Sequence, residues 1–175
     1  MCSSDLAHAE SAASGAELMT TFEDSVQVNG SAKDVYDFIN EADRWPERLP
    51  HVARVRFEEP VPGLQTLEMD TTARDGSAHT TTSVRVCFPP RKIVYKQIRL
   101  PALMNLHVGQ WTVTDGEAGV TATSSHTVAV NPASIAAILG PDAAVGDAQA
   151  YLRAALSTNS LATLACARDY AEQRS

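Results

Sequence analysis

Cysteine is scarce: the 175 residues hold three, Cys2, Cys87 and Cys166, and no two lie close together. That spacing argues against a zinc knuckle or a disulfide framework. Positive charge is scarce as well. Fourteen Lys and Arg stand against 21 Asp and Glu, for a net charge of -7. Nucleic acid is therefore not expected as the main partner, since phosphate binding needs a basic footprint. No apolar run reaches membrane-spanning length, and the amino terminus lacks the basic start and apolar centre of a signal peptide. A soluble, cytoplasmic protein is expected, with no membrane association. Phosphate loops, dinucleotide fingerprints and nucleophile elbows are missing. His51, His79 and His107 have no metal-ligand spacing, so no metal site is expected.

What the chain does contain is ordinary globular composition, with 44% hydrophobic and 20% charged residues. Its length suits one domain able to bury a core without staples. Residues 1–18, MCSSDLAHAESAASGAEL, are small and polar without a usable period, and read as a tail or linker ahead of a domain over 19–175. TFEDSVQV reads as a first strand. Ser31 with Asp34 three residues on has the pattern of a capping box opening a helix whose apolar face is Val35, Phe38 and Ile39. Pro46 and Pro50 bracket a second, tight helix or turn around Trp45.

Strand-like segments follow at Val52–Glu59, Gln65–Thr72, Ser77–Phe88, Lys92–Arg99, Leu106–Thr114 and Val120–Val130, with hairpin signals at Asp75-Gly76 and Asp115-Gly116. From about Asp142 to Glu172 the chain is Ala- and Leu-rich, free of Pro and helical in period. Val145, Ala148, Leu152, Ala155, Asn159, Ala162, Cys166 and Tyr170 are expected to form its buried stripe. The order predicts an α+β domain. A curved antiparallel sheet of about seven strands wraps a long C-terminal helix, with two short helices after the first strand.

Several polar residues fall on surfaces expected to be internal. In VTATSSHTVAV one parity holds Val120, Ala122, Ser124, His126, Val128 and Val130, which places a histidine on the inward face. Asn159 and Thr163 interrupt the helix stripe. Each could be a satisfied core residue, with Asn159 bonded to a loop or a buried water. Together they also fit a sheet and helix that stand apart around a cavity with a few polar groups on its walls. Arg85 is ambiguous. Its neighbours of the same parity are Ser77, His79, Thr81, Ser83 and Cys87, whereas Val84, Val86 and Phe88 hold the other parity. Hydrophobicity alone sends Arg85 to solvent. Trp45, beside Pro46, suits a pocket wall; Trp111, Tyr36 and Tyr151 suit core or rim packing.

The stretches AKDVYDFINEADRWPERLPHV, TTTSVRVCFPPRKIVYKQ, GQWTV, TATSSHTV and LSTNSLATL, in this order and spacing, resemble the polyketide aromatase/cyclases of bacterial aromatic polyketide pathways. The resemblance spans about Thr20 to Glu172 and is greatest to the C-terminal half of two-domain members. It implies the helix-grip fold, START-like or Bet v 1-like. It implies aldol cyclisation or dehydration of the first ring of a poly-β-ketone in antibiotic biosynthesis, a lyase-type reaction without metal or organic cofactor. The catalytic arginine and histidine of the family match Arg85 and His126, which reverses the expectation from parity and turns Arg85 inward. Substrate contacts are expected from Trp45, Ser83, Ser124, Asn159, Thr163, Trp111 and Tyr36. Some single-domain members carry an acidic residue on the long helix where Thr163 stands here, and threonine cannot donate a carboxyl proton. The implied partners are an acyl carrier protein bearing the chain and a partner cyclase domain, with Arg44, Arg48, Arg54 and Arg56 as candidates for a basic docking rim. The same fold also serves non-catalytic binding of small hydrophobic ligands, or a half that only supports its partner domain.

Overall fold

The computed structural model describes residues 14–72 and 76–175. The strands are β1 (Met19–Val28), β2 (Val52–Val61), β3 (Leu64–Thr72), β4 (Ala78–Phe88), β5 (Lys92–Arg99), β6 (Met104–Gly116) and β7 (Gly119–Val130). The helices are α1 (Ala32–Asn40), α2 (Trp45–Arg48), α3 (Ile135–Leu139) and α4 (Val145–Glu172). The strands form one antiparallel sheet in the order β1-β7-β6-β5-β4-β3-β2. One face of that sheet must be buried, and α4, 28 residues long, lies over β1 and β7 to cover it.

Local chemistry sets the element ends. The Asp34 backbone N–H donates to Ser31 Oγ at 3.3 Å, capping α1 as the sequence pattern predicts. Pro46 occupies the first turn of α2, where its missing N–H costs nothing. The β6–β7 hairpin turns at Glu117 and Ala118, two residues beyond the expected Asp115-Gly116, because Gly119 rather than Gly116 takes the left-handed conformation at φ +96°. Residues 14–17 form a turn, and Gln149 Nε2–H donates to the Glu17 carbonyl at 2.9 Å. Residues ahead of Met19 are thus joined to the rest of the chain; residues 1–13 of the expected tail, and Asp75 of the first hairpin signal, lie outside the described residues.

Where α1 meets the end of α4 the backbones nearly touch. A Cβ on Gly30 would lie 2.8 Å from the Ala171 carbonyl carbon and 2.9 Å from its oxygen. Backbone cannot yield as a side chain does, so Gly30→Ala is expected to cost about 1–3 kcal/mol, read as a lower urea midpoint at unchanged m-value.

One expectation about faces is corrected, and one hydrophobic pattern misleads when taken alone. On α4 the buried residues are Ala148, Leu152, Ser160, Thr163, Leu164, Ala167 and Ala171. After Leu152 the stripe therefore runs one residue later than expected, and Ala155 and Asn159 are exposed. The observed stripe buries Leu164 where the expected one would bury Asn159 and Tyr170, each of which carries a polar group. On β4 hydrophobicity points the wrong way: Val86 is 42% exposed and Phe88 53%, while Arg85 is 2% exposed.

A polar belt with an arginine and two histidines

The core is two apolar clusters with a polar belt between them. One cluster holds Val120 and Ala122 of β7, Trp111 and Val113 of β6, and Leu164 and Ala167 of α4. The other holds Val128 and Val130 of β7, Met104 of β6, and Ala148 and Leu152 of α4. Each element passes from one cluster to the other through polar or small residues. On β7 these are Ser124 and His126, on β6 His107 and Gly109, and on α4 Ser160 and Thr163. Ser124, His126, His107, Ser160 and Thr163 are all buried. His126 thus points inward with the valines because the belt supplies it with partners.

Strand register lines up the belt. Gln65 pairs with Arg85, Arg85 with Tyr95, Tyr95 with Gly109, Gly109 with His126, and His126 with Phe22. Adjacent strands lie about 4.8 Å apart, so Arg85 and His126, three strands apart, start about 14 Å from each other. Tyr95 bridges the gap by lying across Gly109. A Cβ at that glycine would overlap the Tyr95 ring tip and sit 2.8 Å from the Ser125 carbonyl oxygen. Tyr95 Oη thereby reaches His126 Nδ1 at 3.2 Å. Gly109→Ala is expected to swing the phenol out of hydrogen-bonding reach of His126, visible in a crystal structure, and to cost about 1–3 kcal/mol in stability.

Arg85 carries a buried charge without a carboxylate partner among the described residues. One guanidinium nitrogen, Nη2, donates to the Ile39 carbonyl at 2.8 Å. That carbonyl belongs to the last turn of α1, the negative end of the helix dipole. The guanidinium also lies 5.3 Å from the Trp45 ring centroid, a cation–π contact. Trp45 is held in turn by its indole N–H, which donates to the Phe38 carbonyl at 3.2 Å. Burial lowers the arginine to about 10, so it stays charged near neutrality. Its Nε and Nη1 are buried without a partner, as are Tyr36 Oη and Gln65 Oε1. Such groups are costly unless something bonds them. Three donors here await acceptor oxygens. Burial raises the Tyr36 phenol to about 12, so it remains a donor.

The histidines form a continuous chain. Gln97 Oε1 lies 2.9 Å from His107 Nδ1, and His107 Nε2 lies 2.9 Å from His126 Nδ1. His126 Nε2 is 2.7 Å from Ser160 Oγ and 3.2 Å from Ser124 Oγ. Phe22 stacks on the His126 ring at 5.1 Å. Desolvation, with mutual repulsion adding for His107, drives His107 down to about 3 and His126 to about 4. Both imidazoles are neutral at pH 7.

Of the residues expected at the site, Arg85, His126, Ser124, Ser83, Thr163, Trp45, Trp111 and Tyr36 all face the interior. Thr163 spends its hydroxyl on the Asn159 carbonyl one turn back, at 3.0 Å. Asn159 does not join them; it is exposed, and Ser160 beside it takes the interior position. The open chamber expected between helix and sheet is closed at the belt, where Ser160 meets His126 directly. A cleft of about 610 Å³ instead opens along the outer side of β1, β7 and β6, walled by Thr21, Glu23, Gln110, Ser125 and Thr127, with His126 at its edge. The expected basic rim is neutralised on the chain: Arg44 and Arg48 lie 3.9 and 2.8 Å from Glu41, Arg54 2.8 Å from Asp70, and Arg56 3.5 Å from Glu68. Sequence reasoning missed His107, Tyr95, Gln97, Gly109 and Ser160. The parity of Leu106–Thr114, which groups His107 and Gly109 with Trp111 and Val113, was the signal for two of them.

Comparison with known proteins agrees with this architecture. Residues 19–167 match the family described as polyketide cyclase / dehydrase and lipid transport. A granaticin polyketide synthase bifunctional cyclase/dehydratase from Streptomyces virginiae is 55% identical over 157 residues, covering 86% of this chain and 49% of the relative. The crystal structure of the di-domain ARO/CYC BexL from the BE-7585A biosynthetic pathway superposes with a TM-score of 0.86 at 58% identity, over 89% of this chain and 51% of that one. The Zhui aromatase/cyclase from Streptomyces sp. R1128, at 23% identity and a TM-score of 0.77 over 89% of this chain and 95% of that one, shares the helix-grip fold. The chain spans about half the length of the curated relatives it matches. With a match across most of its length and relatives at this identity, the chain belongs to the polyketide cyclase/dehydrase and lipid transport family.

Proposed function

We propose that this chain is an aromatase/cyclase that closes or dehydrates the first ring of a poly-β-ketone held by an acyl carrier protein. The observation that carries this reading is the unpartnered Nε–H and Nη1–H of a buried, charged Arg85, in the same cross-strand row as Tyr95 and His126. Poly-β-ketone oxygens are the acceptors such donors lack. Aldol closure needs an enolate at one carbon and a polarised carbonyl at another. The guanidinium holds the enolate oxygen as its charge develops, and the buried Tyr36 Oη is a further neutral donor for a substrate oxygen. Neutral His126 accepts the α-proton at Nε2, directly or through Ser160 or Ser124, and returns it to the alkoxide formed as the ring closes; in dehydration it takes a second α-proton and passes it to the departing hydroxyl, which leaves as water. Aromatisation supplies the driving force, so the protein's main task is to hold the chain in one fold and exclude other closures. Substrate entry must part Ser160 from His126. No metal or organic cofactor takes part in these steps.

For the carrier protein, an acidic partner, Arg91, Lys92, Lys96 and Arg99 are better placed than the arginines of the expected rim. Among the described residues these four make no ion pair, and Arg91, Lys96 and Arg99 are exposed. Reconstitution of the pathway enzymes with and without this chain tests the function. Its presence is expected to convert linear shunt products into the aromatic first ring; an unchanged product profile refutes the proposal.

A further inference from the structure

The hydrogen-bond chain behind His126 has a direction, and Gln97 sets it. A glutamine Oε1 only accepts, so His107 Nδ1 must carry the hydrogen of their 2.9 Å bond. A neutral imidazole has a single N–H. His107 Nε2 is therefore bare and accepts at 2.9 Å from His126 Nδ1–H. That leaves His126 Nε2 bare, facing the Ser160 hydroxyl at 2.7 Å and the Ser124 hydroxyl at 3.2 Å. Tyr95 Oη, 3.2 Å from His126 Nδ1, is a second acceptor for the same hydrogen.

We propose that Gln97 and His107 are positioning residues that fix His126 in the Nδ1–H tautomer, so that its Nε2 always faces Ser160 and Ser124 as the proton acceptor. His107 is 2% exposed and makes its bonds within the belt, which suits a group acting through another. The role in catalysis rests on the aromatase/cyclase reading; the tautomer does not. Other groups also face His126: Asp24 of β1, opposite Ser124, which favours its charged form; Tyr95 of β5; and Arg153 of α4, stacked over Phe22. They are the same in every Gln97 variant, so a change on substituting Gln97 reports the relay.

The test uses the full chain labelled with ¹⁵N. Long-range ¹H–¹⁵N spectra at neutral pH are expected to show His126 protonated at Nδ1. Gln97→Leu, which removes the acceptor, is expected to mix the two tautomers. It is also expected to lower kcat about ten- to a hundredfold while KM stays within about threefold. Gln97→Glu keeps an acceptor and adds charge, so the acidic limb of kcat is expected to move up by about half a pH unit or more. A purely structural glutamine would move neither tautomer nor limb. His126 protonated at Nε2 in the wild type overturns the inference, as does a Gln97→Leu chain with unaltered tautomer and kcat. Should Gln97→Leu not fold, the wild-type and Gln97→Glu spectra decide. A wild-type chain that shows the expected tautomer yet makes no aromatic product sinks the aromatase/cyclase reading and leaves the relay standing.

Discussion

Replacing Arg85 with methionine is expected to cost two to three orders of magnitude in aromatic product formation while leaving the fold intact. Loss of one preorganised donor at a developing oxyanion costs about 10²–10³ in rate, and this guanidinium has two donor nitrogens, Nε and Nη1, with no partner among the described residues. Stability should move little, by about 1 kcal/mol in either direction. A buried charge without a counter-ion is itself unfavourable, and an apolar residue of similar volume removes that penalty. The loss that remains is the bond to the Ile39 carbonyl and the contact with Trp45. Arg85→Lys keeps the charge without the planar fork, and is expected to retain a small part of the activity. Product analysis together with urea denaturation separates the two effects. A chain that only binds its ligand would show weaker affinity and no change in product, and a supporting half would tolerate the substitution. Full product yield from a folded Arg85→Met chain would therefore end the catalytic assignment.

That expectation was only half legible in the sequence. Alternation on β7 placed His126 and Ser124 inside without help, because valines of the same parity left no doubt which face was buried. Alternation on β4 failed for Arg85: Val86 and Phe88 stay substantially exposed on the outer face while a guanidinium takes the interior. Only likeness to a family reversed that reading. The antiparallel sheet, the order of elements along the chain and the covering helix followed from turn residues and periods; the pairing of β1 with β7 did not. The helix phase did not, because the bulky residues of α4, Tyr151, Leu152, Leu156, Leu161, Leu164 and Tyr170, are spread around the helix rather than gathered on one stripe, and the error exchanged Ser160 for Asn159. The remaining site residues are products of register. Tyr95, Gly109 and His126 become neighbours only once three strands are paired, and a glycine opposite a tyrosine carries no signal until the pairing is known.

The histidine pair predicts an acid-labile fold. Both imidazoles ionise below their ordinary value of 6.5 when folded, His126 at about 4 and His107 at about 3. The unfolded chain therefore binds protons between pH 6.5 and 4 that the native chain does not. Unfolding takes up protons in that window, so stability falls as pH falls. Above 6.5 this pH dependence vanishes; below the folded values the loss reaches a plateau. Each histidine contributes at most about 1.4 kcal/mol per pH unit, and the two together about 2.7. Urea midpoints measured from pH 7.5 to 4.5 should thus be flat at first and then drop steeply below about pH 6. His51, half-buried and shifted the same way by desolvation, adds in the same direction. In a His107→Gln, His126→Gln double variant the neutral amides do not titrate. Its stability at pH 7 is expected to be lower through lost packing, but most of the slope between pH 6 and 4.5 should vanish. Carboxylates protonating near pH 4 cannot mimic this, since they begin to act lower and are unchanged in the variant. A wild-type chain whose stability is level from pH 7 to 5 would mean that the belt admits charged imidazoles, and with them water. Neutral His126, the base the proposed chemistry relies on, would then not be what the interior maintains.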